Sequence, residues 1–225
     1  MTAVASPAST LRADAARNRA LVLDVAGELF RARGLDVTMQ EIADAAGVGV
    51  GTVCRRFATK QDLVAALFEE RMETLLGIVR RGVDELDLDP WDAFSTAFTD
   101  AVHLHVRDRG FMEALGCEHG NHPRHEELRH DLMVTLRVLV HRGVEVGVLR
   151  DDLVAEDIPE LACMVSRTSC TPISALEPDA WRRACTIVLD GMRAHAPSSS
   201  DATLMPKLPT YERLVEHFSS TPIPQ

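Results

Sequence analysis

The sequence predicts an all-α fold, on three grounds. Apolar residues make up 46% of the 225-residue chain, yet they almost nowhere alternate with polar ones as a half-buried strand requires. They recur instead at i, i+3, i+4 and i+7, the spacing that lines one face of a helix. The stretch from Thr38 to Lys60 also reads as two short helices folded around a glycine. The length is enough for one large or two modest domains with a sizeable core. Five scattered cysteines (Cys54, Cys117, Cys163, Cys170 and Cys185) with no secretory signal ahead of them predict reduced thiols and a cytoplasmic location. No run nears the roughly eighteen apolar residues of a membrane span, so no membrane association is expected.

Residues 1–12 predict a flexible arm of small, polar-leaning residues. Arg12, Arg17 and Arg19 open the first helix, where they can reach phosphates or a minor groove; a solvated basic face is the alternative. Val22, Val25, Ala26, Leu29 and Phe30 form its apolar stripe, and Gly34 stops it. Thr38 and Glu41 match the T-x-x-E capping box of a second helix. Ile42, Ala45 and Ala46 give that helix its stripe, Gly47 supplies a turn open to positive φ, and Val48 plugs a small core. A further short helix fits Val50 to Phe57. Two short helices joined by a glycine turn, the second carrying small and basic residues, match a helix-turn-helix. An ordinary helical hairpin is the competing reading.

Each residue of this element can be given a task. The N-terminal amides behind Thr38 suit a phosphate. Gly49 is an adequate cap, Val50 can touch a thymine methyl, and Thr52 offers a hydroxyl. Arg55 and Arg56 suit charge-assisted contacts, including the paired acceptors of guanine. Phe57 anchors the helix in a three-helix core, Thr59 caps the next helix, and Lys60 stands at its start, placed for a backbone phosphate.

Leu29-Phe30, Gly34, Thr38, Ile42-Ala43, Ala45-Ala46-Gly47-Val48, Gly51-Thr52, Phe57, Lys60 and Leu63, taken with their spacing, resemble the tetracycline-repressor (TetR) family of bacterial transcription regulators. The resemblance is close over residues 15–68 and architectural beyond them. It implies that Thr38 touches the DNA backbone. It also marks departures: Gly49 replaces a frequent serine cap, Cys54 a phosphate-contacting tyrosine, and Arg56 a histidine. The expected organisation is a DNA-binding domain over residues 13–62, a ligand-binding and dimerisation domain over 63–196, and a mostly disordered tail over 197–225.

Beyond Lys60 a long helix is expected to Gly82, with Leu63, Leu67, Met72, Leu75, Ile78 and Val79 inward, acting as a lever between domains. Pro90 opens another, whose stripe runs from Trp91 through Phe94, Phe98 and Val102 to His105. A short helix over Phe111–Leu115 and a long one over His125–Val146 follow. Asp157-Ile-Pro-Glu160 begins a helix of about fifteen residues ending near Pro172, and Pro178 starts the last main helix. Small and apolar residues on more than one face of these two helices (Ala162, Cys163, Ser166, Ser169, Ala184) predict a four-helix homodimer interface through residues 157–172 and 178–195. Burial within one chain is the alternative. In the tail, Tyr211–Phe218 fits one or two amphipathic turns packing on the body.

Met72, Leu75, Phe94, Phe98, His105, Phe111, Met112 and Met133 are the candidate lining of a pocket for a small apolar effector, with His103 as a second polar group; a plainly packed core is the alternative. Cys117, Glu118, His119, His122 and His125 crowd together in a spacing that can hold a metal, against a default of a solvated loop. No catalytic motif occurs, so neither an enzyme nor a cofactor is expected. The net charge is −10, but residues 1–60 carry eight Lys/Arg against six Asp/Glu and the remainder is −12. The positive end thus coincides with the helix-turn-helix. The expected function is a homodimeric, ligand-responsive repressor on a palindromic duplex operator. The alternative is a metal- or redox-responsive regulator using the Cys117–His125 cluster or Cys54.

Overall fold

The computed structural model describes residues 7–107 and 123–194. Among them all regular structure is helical, apart from one isolated antiparallel bridge between Leu149 and Arg193. None of the described helices is long and apolar enough to cross a membrane. The chain divides into two compact units, Met1–Glu73 with Arg107–Glu126, and Thr74–Val106 with Glu127–Gln225.

The first unit is built from α1 (Pro7–Arg33), α2 (Met39–Ala45), α3 (Val50–Cys54) and the start of α4 (Lys60–Glu85). Its core gathers Leu23, Phe30, Ile42, Val53, Phe57 and Leu63. Phe30, Ile42 and Leu63 are fully buried, each such side chain contributing about 1.5–3 kcal/mol through loss of apolar surface from water. Both junctions are capped. Thr38 and Glu41 complete the box at the head of α2. At the head of α4, Asp62 N–H donates to Thr59 Oγ1 at 3.1 Å and Thr59 N–H to Asp62 Oδ2 at 2.9 Å. Gly47 sits between α2 and α3 at φ +66, a conformation that a side chain would strain.

Two details differ from the sequence reading. The buried stripe of α2 is Ile42, Ala43 and Ala46, while Ala45 faces solvent. The inward direction falls between Ile42 and Ala43, which leaves Ala45 at the exposed edge of the stripe. And α3 closes at Cys54, not Phe57: Arg55 is its C-cap and Arg56 N–H donates to Val53 O at 2.9 Å, tightening the last turn.

The second unit holds the rest of α4, most of α5 (Pro90–Arg107) and α6 (Pro123–Glu145), then α7 (Asp157–Arg167), α8 (Pro172–Leu176) and α9 (Ala180–Met192). Asp89 caps α5 by accepting from Asp92 N–H at 3.0 Å, with Pro90 in the first turn. Gly82 lets α4 and α5 meet closely, since a Cβ there would lie 2.8 Å from Ala97 Cβ. The fifteen-residue helix expected from Asp157 stops at Arg167 and continues as a 3-10 turn over Thr168–Cys170. The hydroxyls of Thr168 and Ser169 donate to Val165 O and Ser166 O, each at 2.7 Å, and such back-bonding loosens a helix. Asp157 turns backward to accept from Val154 N–H at 3.0 Å, so it closes the preceding turn instead of capping α7. The last helix begins at Ala180, two residues after Pro178, behind a turn in which Ala180 N–H donates to Glu177 O at 3.0 Å. Phe111–Leu115 and the tail from residue 195 lie outside the described residues.

Candidate nucleic-acid interface

The surface around α3 is assembled by short-range bonds. Glu41 N–H donates to Thr38 Oγ1 at 3.2 Å, while Glu41 Oε2 accepts from Thr38 N–H and Thr38 O–H, both at 2.8 Å. Arg33 donates to the other carboxylate oxygen at 2.7 Å. The Thr38 backbone bond, its hydroxyl and then Arg33 lower the Glu41 pKa from 4.5 to about 2. This arrangement commits the single Thr38 hydroxyl proton to Glu41. A phosphate contact from that hydroxyl requires the proton to be redirected.

Gly49 precedes α3 in an extended conformation as its N-cap without a side-chain bond, and Val50 and Gly51 follow, exposed. A Cβ on Gly49 or Gly51 would meet nothing within 4 Å, so this end of α3 presents bare backbone to anything approaching. Arg55 donates to Thr52 Oγ1 at 3.2 Å, which leaves the Thr52 proton to donate elsewhere. Arg55, Arg56 and Cys54 are exposed, whereas Val53 is buried and serves packing. Lys60 Nζ donates to Leu35 O, tying the head of α4 to the turn after α1 and leaving two of its three protons for other acceptors. Arg19 lies over the Phe57 ring at 5.8 Å, which orients it. The Lys60–Leu35 tie had no local sequence signal, being a contact across 25 residues.

The second candidate site is a cavity of about 50 Å³ inside the second unit. Leu75, Phe94, Phe98 and His105, all expected lining residues, meet there. Phe94 and Phe98 stack with centroids 6.4 Å apart, and His105 is the polar group at the wall. Met72 is buried in the first unit and does not line the cavity. Met133 is half-buried and does not line the cavity, whereas its neighbour Leu132 on α6 does. Phe111 and Met112 lie outside the described residues. His103 stacks on Trp181 at 5.5 Å instead of facing the cavity. The remaining wall comes from Ile158, Pro159 and Ala162 of α7. Small residues of α7 had pointed to a dimer face, but Ala162 and Ser166 turn inward, the latter bonding Cys163 O at 2.8 Å. The apolar side chains that face out are Met164 on α7 and Ile187 on α9, 54% and 52% exposed.

Of the expected metal cluster, Cys117, Glu118, His119 and His122 lie outside the described residues. His125 is fully buried, 4.5 Å from the Phe68 ring and 3.7 Å from Glu69. Among the described residues no three His, Cys, Asp or Glu side chains gather as ligands.

A glycine-hinged helix pair with exposed arginines, followed by an all-helical unit enclosing an apolar cavity, defines a helix-turn-helix transcription regulator. Comparison with known proteins narrows the class. The family model "Bacterial regulatory proteins, tetR family" matches residues 22–67, and "Transcriptional regulator SbtR-like, C-terminal domain" matches residues 89–194. The chain is 34% identical over 111 residues to "Uncharacterized HTH-type transcriptional regulator TtgW" of Pseudomonas putida, covering 46% of this chain and 75% of that one. The crystal structure of a TetR transcription regulatory protein from Mycobacterium vanbaalenii is 34% identical, with a TM-score of 0.58 over 81% of this chain and 99% of that one. The TetR transcriptional regulator SCO0520 of Streptomyces coelicolor is 26% identical, with a TM-score of 0.59 over 78% and 98%. The chain belongs to the TetR family of DNA-binding transcription regulators.

Proposed function

We propose that this chain is a homodimeric repressor that leaves a palindromic operator when a small apolar effector enters the cavity of its second unit. The observation that carries the reading is the open, glycine-edged end of α3 with Thr52, Arg55 and Arg56 beside it. In this reading Gly49 and Val50 approach the base edges of a major groove and Arg55 and Arg56 bind phosphate or guanine. Thr38, Thr52 and Lys60 then fix the register on the backbone. The dimer forms through the outward faces of α7 and α9, which expose Met164 and Ile187. Its two α3 helices would enter half-sites roughly 34–36 Å apart.

The cavity supports a specific coupling. Small-molecule sites span about 300–1,000 Å³, so a cavity of about 50 Å³ admits an effector only if its walls part. Leu75 and Val79 of α4 are among those walls, and the same helix begins at Lys60 in the first unit. An effector that displaces α4 therefore disfavours the DNA-competent state, by a coupling of about 1–3 kcal/mol in systems of this kind.

The test is salt-dependent binding to duplex DNA from the region upstream of the protein's own gene. Arg55→Ala and Arg56→Ala should each reduce the slope of log K against log salt by about 0.9 for every phosphate the variant no longer neutralises. Stability should stay within about 0.5 kcal/mol of the parent, as for other exposed positions. An unchanged slope in both variants would remove the arginines from the interface.

A further inference from the structure

We propose that the segment Tyr211–Phe218 of this same chain docks as a short helix into an open apolar groove between α6 and the loop that precedes α7. The groove encloses about 610 Å³. Its floor is Val140, Leu153 and Ala155, all buried, and its lips are Val138 and Val154, 42% and 51% exposed. Val138 and Val154 leave a narrow apolar strip open along this concave surface, of a size that one short amphipathic segment can cover.

Three observations select the occupant. The first is where the described chain ends. Arg150 N–H donates to Met192 O at 3.0 Å and Ala194 N–H donates to Val148 O at 3.2 Å, so the tail departs from the strand-like segment that leads into the groove wall at Asp151. Sixteen residues separate Ala194 from Tyr211. A flexible connection of that length spans roughly 20–24 Å, which brings the segment to the groove at an effective concentration in the millimolar range.

The second is the segment's own pattern. Tyr211, Leu214, Val215 and Phe218 fall at i, i+3, i+4 and i+7, behind Thr210 as a natural N-cap and ahead of Ser219 and Pro222. So short a helix is marginal in water by itself and needs an apolar surface to lie on.

The third is charge. On a helical wheel Glu212 and Glu216 flank one side of the stripe, and Arg213 and His217 flank the other. The groove is divided in the same way: Arg137 and His141 stand on the α6 wall, Asp151 and Glu156 on the loop wall. One orientation sets Glu212 and Glu216 against Arg137, and Arg213 against Asp151 and Glu156. Arg137 now pairs with Glu156 at 2.7 Å, both more than half exposed, and an exchange of such exposed pairs costs little.

Tyr211 is the only tyrosine in the chain, so 3-fluorotyrosine gives the full-length protein a single fluorine resonance. Docking predicts a resonance broadened and displaced from that of free fluorotyrosine. Val138→Asp, at an exposed position, should return it to the free position with the helical circular dichroism unchanged. Arg137→Glu should do the same, and adding Glu212→Arg and Glu216→Arg should restore the displacement. A parent resonance already at the free position overturns the proposal. So does a displaced resonance that ignores Val138→Asp and Arg137→Glu, which would put the segment elsewhere. A displacement that fades on dilution overturns it too, because the occupant would then be the tail of a second copy.

Discussion

The two units carry their candidate sites in opposite ways. In the first, Val50, Arg55 and Arg56 stand outward on a surface whose glycines leave the backbone bare. In the second, the walls turn inward and close on about 50 Å³. What holds them differs as well. The α2–α3 surface is fixed by directional bonds between residues three or four apart, such as Thr38 with Glu41 and Arg55 with Thr52. The cavity is held by apolar contacts between helices far apart in sequence, which have no directional preference. Directional bonds suit a surface that must be presented in one geometry. Non-directional contacts suit a space that must open for a guest.

The largest expected effect separates the two cores. Phe30→Ala empties a fully buried position of the first unit and should cost about 3–5 kcal/mol. Trp91 and Trp181 both lie in the second unit. In urea, the far-UV dichroism midpoint should therefore fall while the tryptophan fluorescence midpoint holds. Equal shifts in both signals would mean that the units unfold together and that the contrast is one of surface only.

A smaller change of opposite sign probes the cavity. Ala101→Val adds two carbons to the wall and should stabilise the protein by about 0.5–2 kcal/mol, as cavity-filling substitutions commonly do. The same variant should retain operator DNA in the presence of effector. A lowered thermal midpoint would show that the wall has no slack to fill.

The smallest effect is a pH dependence confined to the first unit. The Glu41 pKa is depressed in the folded state, so its contribution is complete above pH 4.5 and drains away as pH falls toward about 2. Dichroism in the presence of urea should show this loss in the parent. Glu41→Gln should flatten it, and Thr38→Ala should lower stability by about 1 kcal/mol at neutral pH through loss of the cap. Identical acid profiles for the parent and Glu41→Gln would detach the carboxylate from the fold.

Much of the first unit was legible residue by residue because its determinants are local. Thr38 and Glu41 sit three apart, and Gly47 needs its positive φ whatever surrounds it. Less of the second unit was legible. Phe94, Phe98, Leu75 and His105 were readable as inward-facing, but helical spacing does not say which inward residues share a wall. Met72 and Met133 obey the same spacing and stand away from it. Ala162 was readable as a small residue on a helix, and only packing turned it toward the cavity and away from an outer face.

The amino-acid order alone determined the helical class, the caps at Thr38 and Thr59, the glycine turn and the short helix followed by two arginines, because each depends on residues within one or two turns of each other. Tertiary structure alone decided that Lys60 is tied to Leu35, that Ala162 faces the cavity, and that the cavity leaves only about 50 Å³. Those outcomes depend on which distant side chains compete for the same space and the same acceptors, and that competition exists only once the helices have met.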